Sequence, residues 1–91
     1  MNKIILDLTG CKSLLQLHNI INKTFNFPDY CGKNLDALWD SMRDYCRPNT
    51  IIYIKGTGKL PKSFDGYIKK VFEIFEDVKD EVDNVIFEVI S

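Results

Sequence analysis

Thr50-Ile51-Ile52-Tyr53-Ile54 is the stretch on which the fold of this 91-residue chain turns. Each of its residues is β-branched or aromatic, types that pack well on a pleated surface and lose side-chain freedom in a helix. The run shows no polar alternation, so it suits a strand covered on both faces, or at least central in its sheet. Moving outward, Ile4-Ile5-Leu6-Asp7-Leu8 is a shorter β-type run ended by Thr9-Gly10, and Val85-Ile86-Phe87-Glu88-Val89-Ile90 closes the chain as a third. Helical periodicity fills the gaps. Ser13 is an N-cap for a helix with Leu14, Leu17, His18 and Ile21 on one side, ending around Lys23. Asn34 caps a second, whose core side is Leu35, Leu38 and Met42. Arg47-Pro48-Asn49 breaks the chain before the central strand. The longest helix runs from about Gly66 to Lys79, with Ile68, Val71, Phe72, Phe75 and Val78 as its apolar stripe. Three strands separated by helices predict an α/β fold: a small three-stranded, largely parallel sheet with right-handed crossovers, packed with about three to four helices.

The length is that of one domain, 1–91. Scaling of surface with mass implies that roughly 65% of the unfolded chain's surface is buried on folding, enough for one modest core. Hydrophobic residues make up 45% and charged residues 27%, and no Pro- or Gly-rich tract or internal repeat appears, so disorder is excluded as the organising state. Apolar runs are too short to span a bilayer. The N-terminus lacks the apolar core and cleavage site of a signal peptide, so the chain is expected to stay where it is made, in the cytoplasm. A net charge of -1 argues against direct nucleic-acid binding. Charge is unevenly spread, however. Glu73, Glu76, Asp77, Asp80, Glu81 and Asp83 face only Lys79, which reads first as a solvated helix face and second as a surface for a basic partner. Cys11, Cys31 and Cys46 have no metal-ligand spacing and read as free thiols, and no base stands close to Cys31 to activate it.

One segment carries local cost without local gain. Tyr30-Cys31-Gly32-Lys33-Asn34-Leu35-Asp36-Ala37-Leu38-Trp39-Asp40 reads as a loop feeding a helix, with Gly32 expected to supply a positive φ for a tight turn. Asp is a poor helix former because its carboxylate competes for backbone hydrogen bonds. Asp36 and Asp40 stand four apart on one face and repel by a few tenths of a kcal/mol. The helix dipole compensates Asp36 near the start but not Asp40 a turn later. Trp39 falls at the border between this face and the core, where an indole anchors the helix and shows an edge outward. Such local conflict marks a binding surface. Two other features carry less. His18, beside its apolar stripe, reads as a packing histidine. Gly56-Thr57-Gly58-Lys59 lacks the spacing and the hydroxyl of a phosphate loop and reads as a flexible turn.

The run from Pro28 to Asp40 closely resembles the signature of the barstar family, intracellular bacterial protein inhibitors of secreted ribonucleases of the barnase type. The resemblance extends over nearly the whole chain, through Ile74-Phe75-Glu76-Asp77-Val78-Lys79 to a closing apolar strand ending in Ser91. It implies a three-stranded parallel sheet packed with helices, in which the second helix and the loop before it plug the ribonuclease active site and their acids stand in for RNA phosphate. Carried over residue by residue, Asp40 is the central acid with Asp36 beside it, and Tyr30 packs against the enzyme's catalytic histidine region. Gly32, Asn34, Leu35 and Trp39 match contact positions, and Asp77 matches a peripheral acid on the last helix. This chain departs from the family pattern at Cys31 (aromatic there), Arg43 (a small hydroxyl residue), Asp44 (glycine) and Tyr45 (a second tryptophan). Arg43 weighs most, because a cation facing a basic enzyme costs affinity and can exclude a wrong partner.

The expected function is therefore that of an immunity protein, the antitoxin half of a toxin pair, which forms a 1:1 heterodimer with a basic secreted ribonuclease and is otherwise a monomer. Tyr30, Gly32, Asn34, Leu35, Asp36, Trp39, Asp40, Arg43 and Asp77 form its partner-binding surface. The alternative is a module of the same fold that uses the same helix on a different toxin or a non-ribonuclease partner. Neither reading needs a cofactor, a metal or a membrane. An enzyme is disfavoured: no nucleophile with its base and no acid pair across a cleft is visible, and two same-face carboxylates without further ligands make a weak metal site.

Overall fold

Three parallel strands form one sheet in the order β1-β2-β3, with β1 at Asn2–Asp7, β2 at Thr50–Lys55 and β3 at Val85–Val89. The computed structural model describes residues 1–90, and Ser91, the expected end of the last strand, lies outside the described residues. The Thr50–Ile54 run is the central strand, with Ile52 paired to Ile4 on one side and Phe87 on the other. Ile90 extends the ladder one step by donating its amide to the Ile54 carbonyl at 2.8 Å.

The central strand is not buried equally on both faces. Thr50, Ile52 and Ile54 are fully buried, whereas Ile51 and Tyr53 are half-covered. Topology supplies the reason. The chain steps across the sheet in one direction, and right-handed crossovers then carry both helical connections to the same face. On the opposite face Lys3, Ile5, Asp7, Ile86 and Glu88 stand exposed, and Lys55 Nζ lies 3.9 Å from Asp7 Oδ2.

Three α-helices cover the buried face: α1 at Leu14–Thr24, α2 at Leu35–Tyr45 and α3 at Asp65–Glu81. A fourth is absent. Two short 3-10 turns, Thr57–Lys59 and Lys62–Phe64, fill the connection between β2 and α3, so the count is the lower of the three to four expected. Ser13 caps α1 by accepting the Gln16 amide at 3.0 Å, while the Gln16 side chain accepts the Lys12 amide at 2.8 Å. This reciprocal arrangement satisfies donors that the helix start would otherwise leave open. Leu17, His18 and Ile21 are buried, but Leu14 is exposed, so the buried stripe begins one turn later than the spacing implies. On α3, Val71, Phe75 and Val78 are buried, and the Phe75 ring stacks on Phe87 with centroids 4.6 Å apart and planes 5° from parallel.

The turn after β2 opens on a glycine that the fold requires. Gly56 is buried with φ 85, and a Cβ there would lie 2.4 Å from the Thr9 backbone nitrogen. Only glycine admits that approach and that dihedral together. Cys11 and Cys46 are buried, Cys31 is half-buried, and all three are free thiols. Among the described residues, no helix is long and apolar enough to cross a membrane.

His18 is a packing histidine, as its position on α1 implies. It is 2% exposed, its Nε2 lies 2.5 Å from the Tyr67 hydroxyl of α3, and its Nδ1 has no hydrogen-bond partner among the described residues. Burial disfavours the charged imidazolium and holds its pKa below the ordinary 6.5. The unfolded chain therefore binds the proton first, so stability is retained above pH 6.5 and falls as pH drops from there through the folded-state value. Urea midpoints measured between about pH 7.5 and 5, above the ordinary carboxylate range, are expected to decrease toward acid. His18→Gln should flatten that slope. An equal slope in the variant would assign the effect to other groups.

Candidate functional site

The loop between α1 and α2 is built by backbone geometry that particular residues permit. Asn26 takes a left-handed φ of 56 just past the end of α1, and the Phe27 amide closes the helix end on the Asn22 carbonyl at 2.9 Å. Asparagine tolerates that region better than any branched residue. Phe27 is buried and stacks on Phe25 at 5.6 Å, which pins the loop's first residue to the core. A turn follows, with the Cys31 amide donating to the Pro28 carbonyl at 3.0 Å.

Gly32 does not have the positive φ expected of it. The glycines in the left-handed region are Gly10 and Gly56. What Gly32 provides is space: an added Cβ would sit 3.0 Å from the Ala37 Cβ on the first turn of α2. Asn34 then caps α2, its Oδ1 accepting the Ala37 amide at 2.8 Å from an extended backbone. These contacts fix the loop's two ends, at Phe27 and at Asn34.

Helix α2 divides sharply. Leu38 and Met42 are buried, and Leu35 and Trp39 are half-buried against the same core. Asp36, Asp40, Arg43 and Asp44 are exposed. Arg43 folds back along its own helix: its guanidinium lies 3.6 Å from Asp40 Oδ1, 4.0 Å from Asp44 Oδ1 and 5.8 Å from the centroid of the Trp39 ring. These pairs are solvent-exposed, so each contributes at most about 1 kcal/mol. Their consequence is electrostatic: the acids remain accessible, but Asp40 already has a weakly held cation beside it.

The sequence candidates thus fall into two groups. Tyr30, Gly32, Asn34, Asp36, Asp40 and Arg43 are exposed on one continuous loop-and-helix element, with Leu35 and Trp39 partly exposed at its border. Asp77 stands apart on α3, the helix against which α2 packs. There it lines a shallow groove of about 580 Å³ with Ile68, Phe72, Glu73 and Glu76. All six acids from Glu73 to Asp83 are exposed, as a solvated face requires.

Tyr45, noted in the sequence as a departure from the family pattern but not placed in the partner-binding surface, belongs to the first group. Its hydroxyl is hydrogen-bonded to that of Tyr30, and its ring packs at 6.1 Å against Phe27. The hydrogen bond to Tyr30, with lesser contributions from partial burial and from Tyr30, Cys31 and Asp44 nearby, pushes the Tyr45 phenol up to about 12. Spacing disguised it: Leu38, Met42 and Tyr45 recur at i, i+4 and i+7, the pattern of a buried stripe. Its place in the last turn, beyond the covered part of the helix, was the available signal.

The element presents an open, charged face to the solvent. Its carboxylates are open to incoming cations, and no cluster of three His, Cys, Asp or Glu that could hold a metal occurs among the described residues. Comparison with known proteins agrees with the fold. The family model described as Barstar (barnase inhibitor) matches residues 1–90. A protein of Bacillus subtilis (strain 168) named "Putative ribonuclease inhibitor YrdF" is 29% identical over 82 residues, covering 90% of this chain and 90% of the relative.

Proposed function

Because the chain belongs to the barstar family, we propose that it inhibits a secreted ribonuclease of the barnase type by laying the loop before α2, and α2 itself, into the enzyme's active site. The family and the relative's name point to an inhibitor rather than an enzyme. The observation that carries the proposal is the exposed pair Asp36 and Asp40 on a helix whose other side is anchored by Leu38 and Met42. A ribonuclease active site is built to receive phosphate and is lined by cations. Two carboxylates on a rigid support match that charge without supplying a cleavable bond. Exclusion of substrate is steric, affinity comes from acid-to-base pairs desolvated at the centre of the contact, and charge steers the encounter. The complex is 1:1, and the inhibitor acts in the cytoplasm as the immunity half of the pair, with Asp77 adding a peripheral charge.

Arg43 bears on which enzyme is met. Its guanidinium beside Asp40 must be turned aside before an enzyme cation takes its place. A basic enzyme with no acid to receive it is penalised, so the cognate ribonuclease differs from barnase near this point or pairs Arg43 with an acid of its own. The test is titration of a barnase-type ribonuclease with nanomolar wild type and, alongside it, Arg43→Ser. Loss of activity at a 1:1 ratio is expected, with the variant inhibiting at least as tightly. Full ribonuclease activity in the presence of micromolar amounts of both folded proteins would overturn the proposal and shift the same helix to another partner.

A further inference from the structure

Tyr30 is 70% exposed, yet it does not project freely. Its hydroxyl bonds to Tyr45, and Tyr45 in turn packs its ring on Phe27, which is buried. The contact joins places that the chain otherwise keeps apart. Asn34 holds the loop to the first turn of α2, whereas Tyr45 is the last residue of that helix, about 15 Å further along its axis. The loop is thus tied at both ends of one rigid element. Without the second tie, the Tyr30 ring has two free torsions and no side-chain hydrogen bond among the described residues.

We infer that Tyr45 is a positioning residue for the docking loop: from a ring seated on Phe27, its hydroxyl clasps Tyr30 and holds the loop in the conformation that meets the partner. Pre-ordering matters for affinity because a binding-competent conformation populated only in part weakens the apparent dissociation constant by that fraction. The hydrogen bond to Tyr30 pushes the Tyr45 phenol up to about 12, so Tyr45 keeps its proton throughout the physiological range. The consequence for docking rests on the proposed function. The ordering of the loop does not.

The test uses the Cys31 amide, which donates to the Pro28 carbonyl in the middle of the loop, as a reporter of loop opening. Amide exchange is followed by NMR in the free protein for wild type, Tyr45→Phe, Tyr30→Phe and the double variant. Tyr45→Phe keeps the ring on Phe27 and removes only the hydroxyl. It is expected to speed Cys31 exchange about three- to tenfold, the effect of one net hydrogen bond, with core amides such as Ile52 and Phe75 unchanged. Tyr30→Phe should give the same factor, and the double variant no more than either single, since both remove one bond. Unchanged Cys31 exchange, independent multiplication of the two effects, or equal acceleration in the core would overturn the inference. A ribonuclease titration of Tyr45→Phe should show the same factor in Kd, and a looser loop with an unaltered Kd would sever the clasp from docking. Failure of wild type to inhibit bears on the proposed function alone, because the exchange measurement involves no enzyme.

Discussion

Phe75→Ala is expected to remove about 3–5 kcal/mol of folding stability. Phe75 is 2% exposed on α3, and it connects parts of the chain distant in sequence. Its ring stacks on Phe87 of β3 at 4.6 Å and meets Phe25, at the end of α1, at 6.5 Å. Truncation loses the transfer free energy of the ring and leaves a cavity that these neighbours cannot close without moving the sheet against the helices. A domain of this size holds about 5–13 kcal/mol in total, so the variant sits near its folding threshold. Urea unfolding checks the expectation: the midpoint should fall steeply with the m-value kept, and a loss below about 1.5 kcal/mol would mean that the core collapses around the gap. Phe75→Leu, which keeps most of the volume, should retain most of the stability.

The same residue shows what the chain declares in advance. Phe75 falls on the 3.6-residue stripe of its helix, and Ile52 lies in a β-branched run, so both are legible as core from local pattern alone. The strand order and the parallel pairing follow from elements alternating along the chain. What was not legible depends on contacts between distant segments. Whether β2 is covered on one face or two is decided by the direction in which successive crossovers step, not by the residues of β2. The glycine of the Gly56 turn looked like flexibility, but the reason for it is the Thr9 backbone, 47 residues earlier, pressing to 2.4 Å from where a Cβ would stand. Gly32 was assigned its turn for a dihedral and holds it for clearance from Ala37.

The candidate site was legible to the extent that it violates local rules. Asp36 and Asp40 share one helix face, and at Asp40, beyond reach of the helix dipole, their repulsion is a cost that folding does not repay. Tyr45 obeys the rules, since it sits at a core spacing, and its contact with Tyr30 exists only once the loop doubles back along α2. A binding surface is therefore visible in sequence where it is frustrated and hidden where it is well made.

Asp40→Ala should accordingly separate binding from folding. The carboxylate is 64% exposed and bonds only weakly to Arg43, at 3.6 Å. Its removal forfeits at most about 1 kcal/mol from that exposed pair and relieves about 0.2–0.5 kcal/mol of repulsion from Asp36 one turn earlier. The two nearly cancel, so the melting temperature should hold within a few degrees. Asp36→Ala is the instructive contrast, because that acid lies in the first turn and contributes about 0.3–1 kcal/mol against the helix dipole. In the complex the balance reverses. An acid at the centre of the contact faces enzyme cations with water excluded, and truncation strands those cations unpaired. The expected loss is more than about 2 kcal/mol, roughly 30-fold or greater in Kd, measured by inhibition of the ribonuclease that wild type blocks. A Kd within threefold of wild type would remove Asp40 from the interface, and a matching loss of melting temperature would make it a residue of the fold instead.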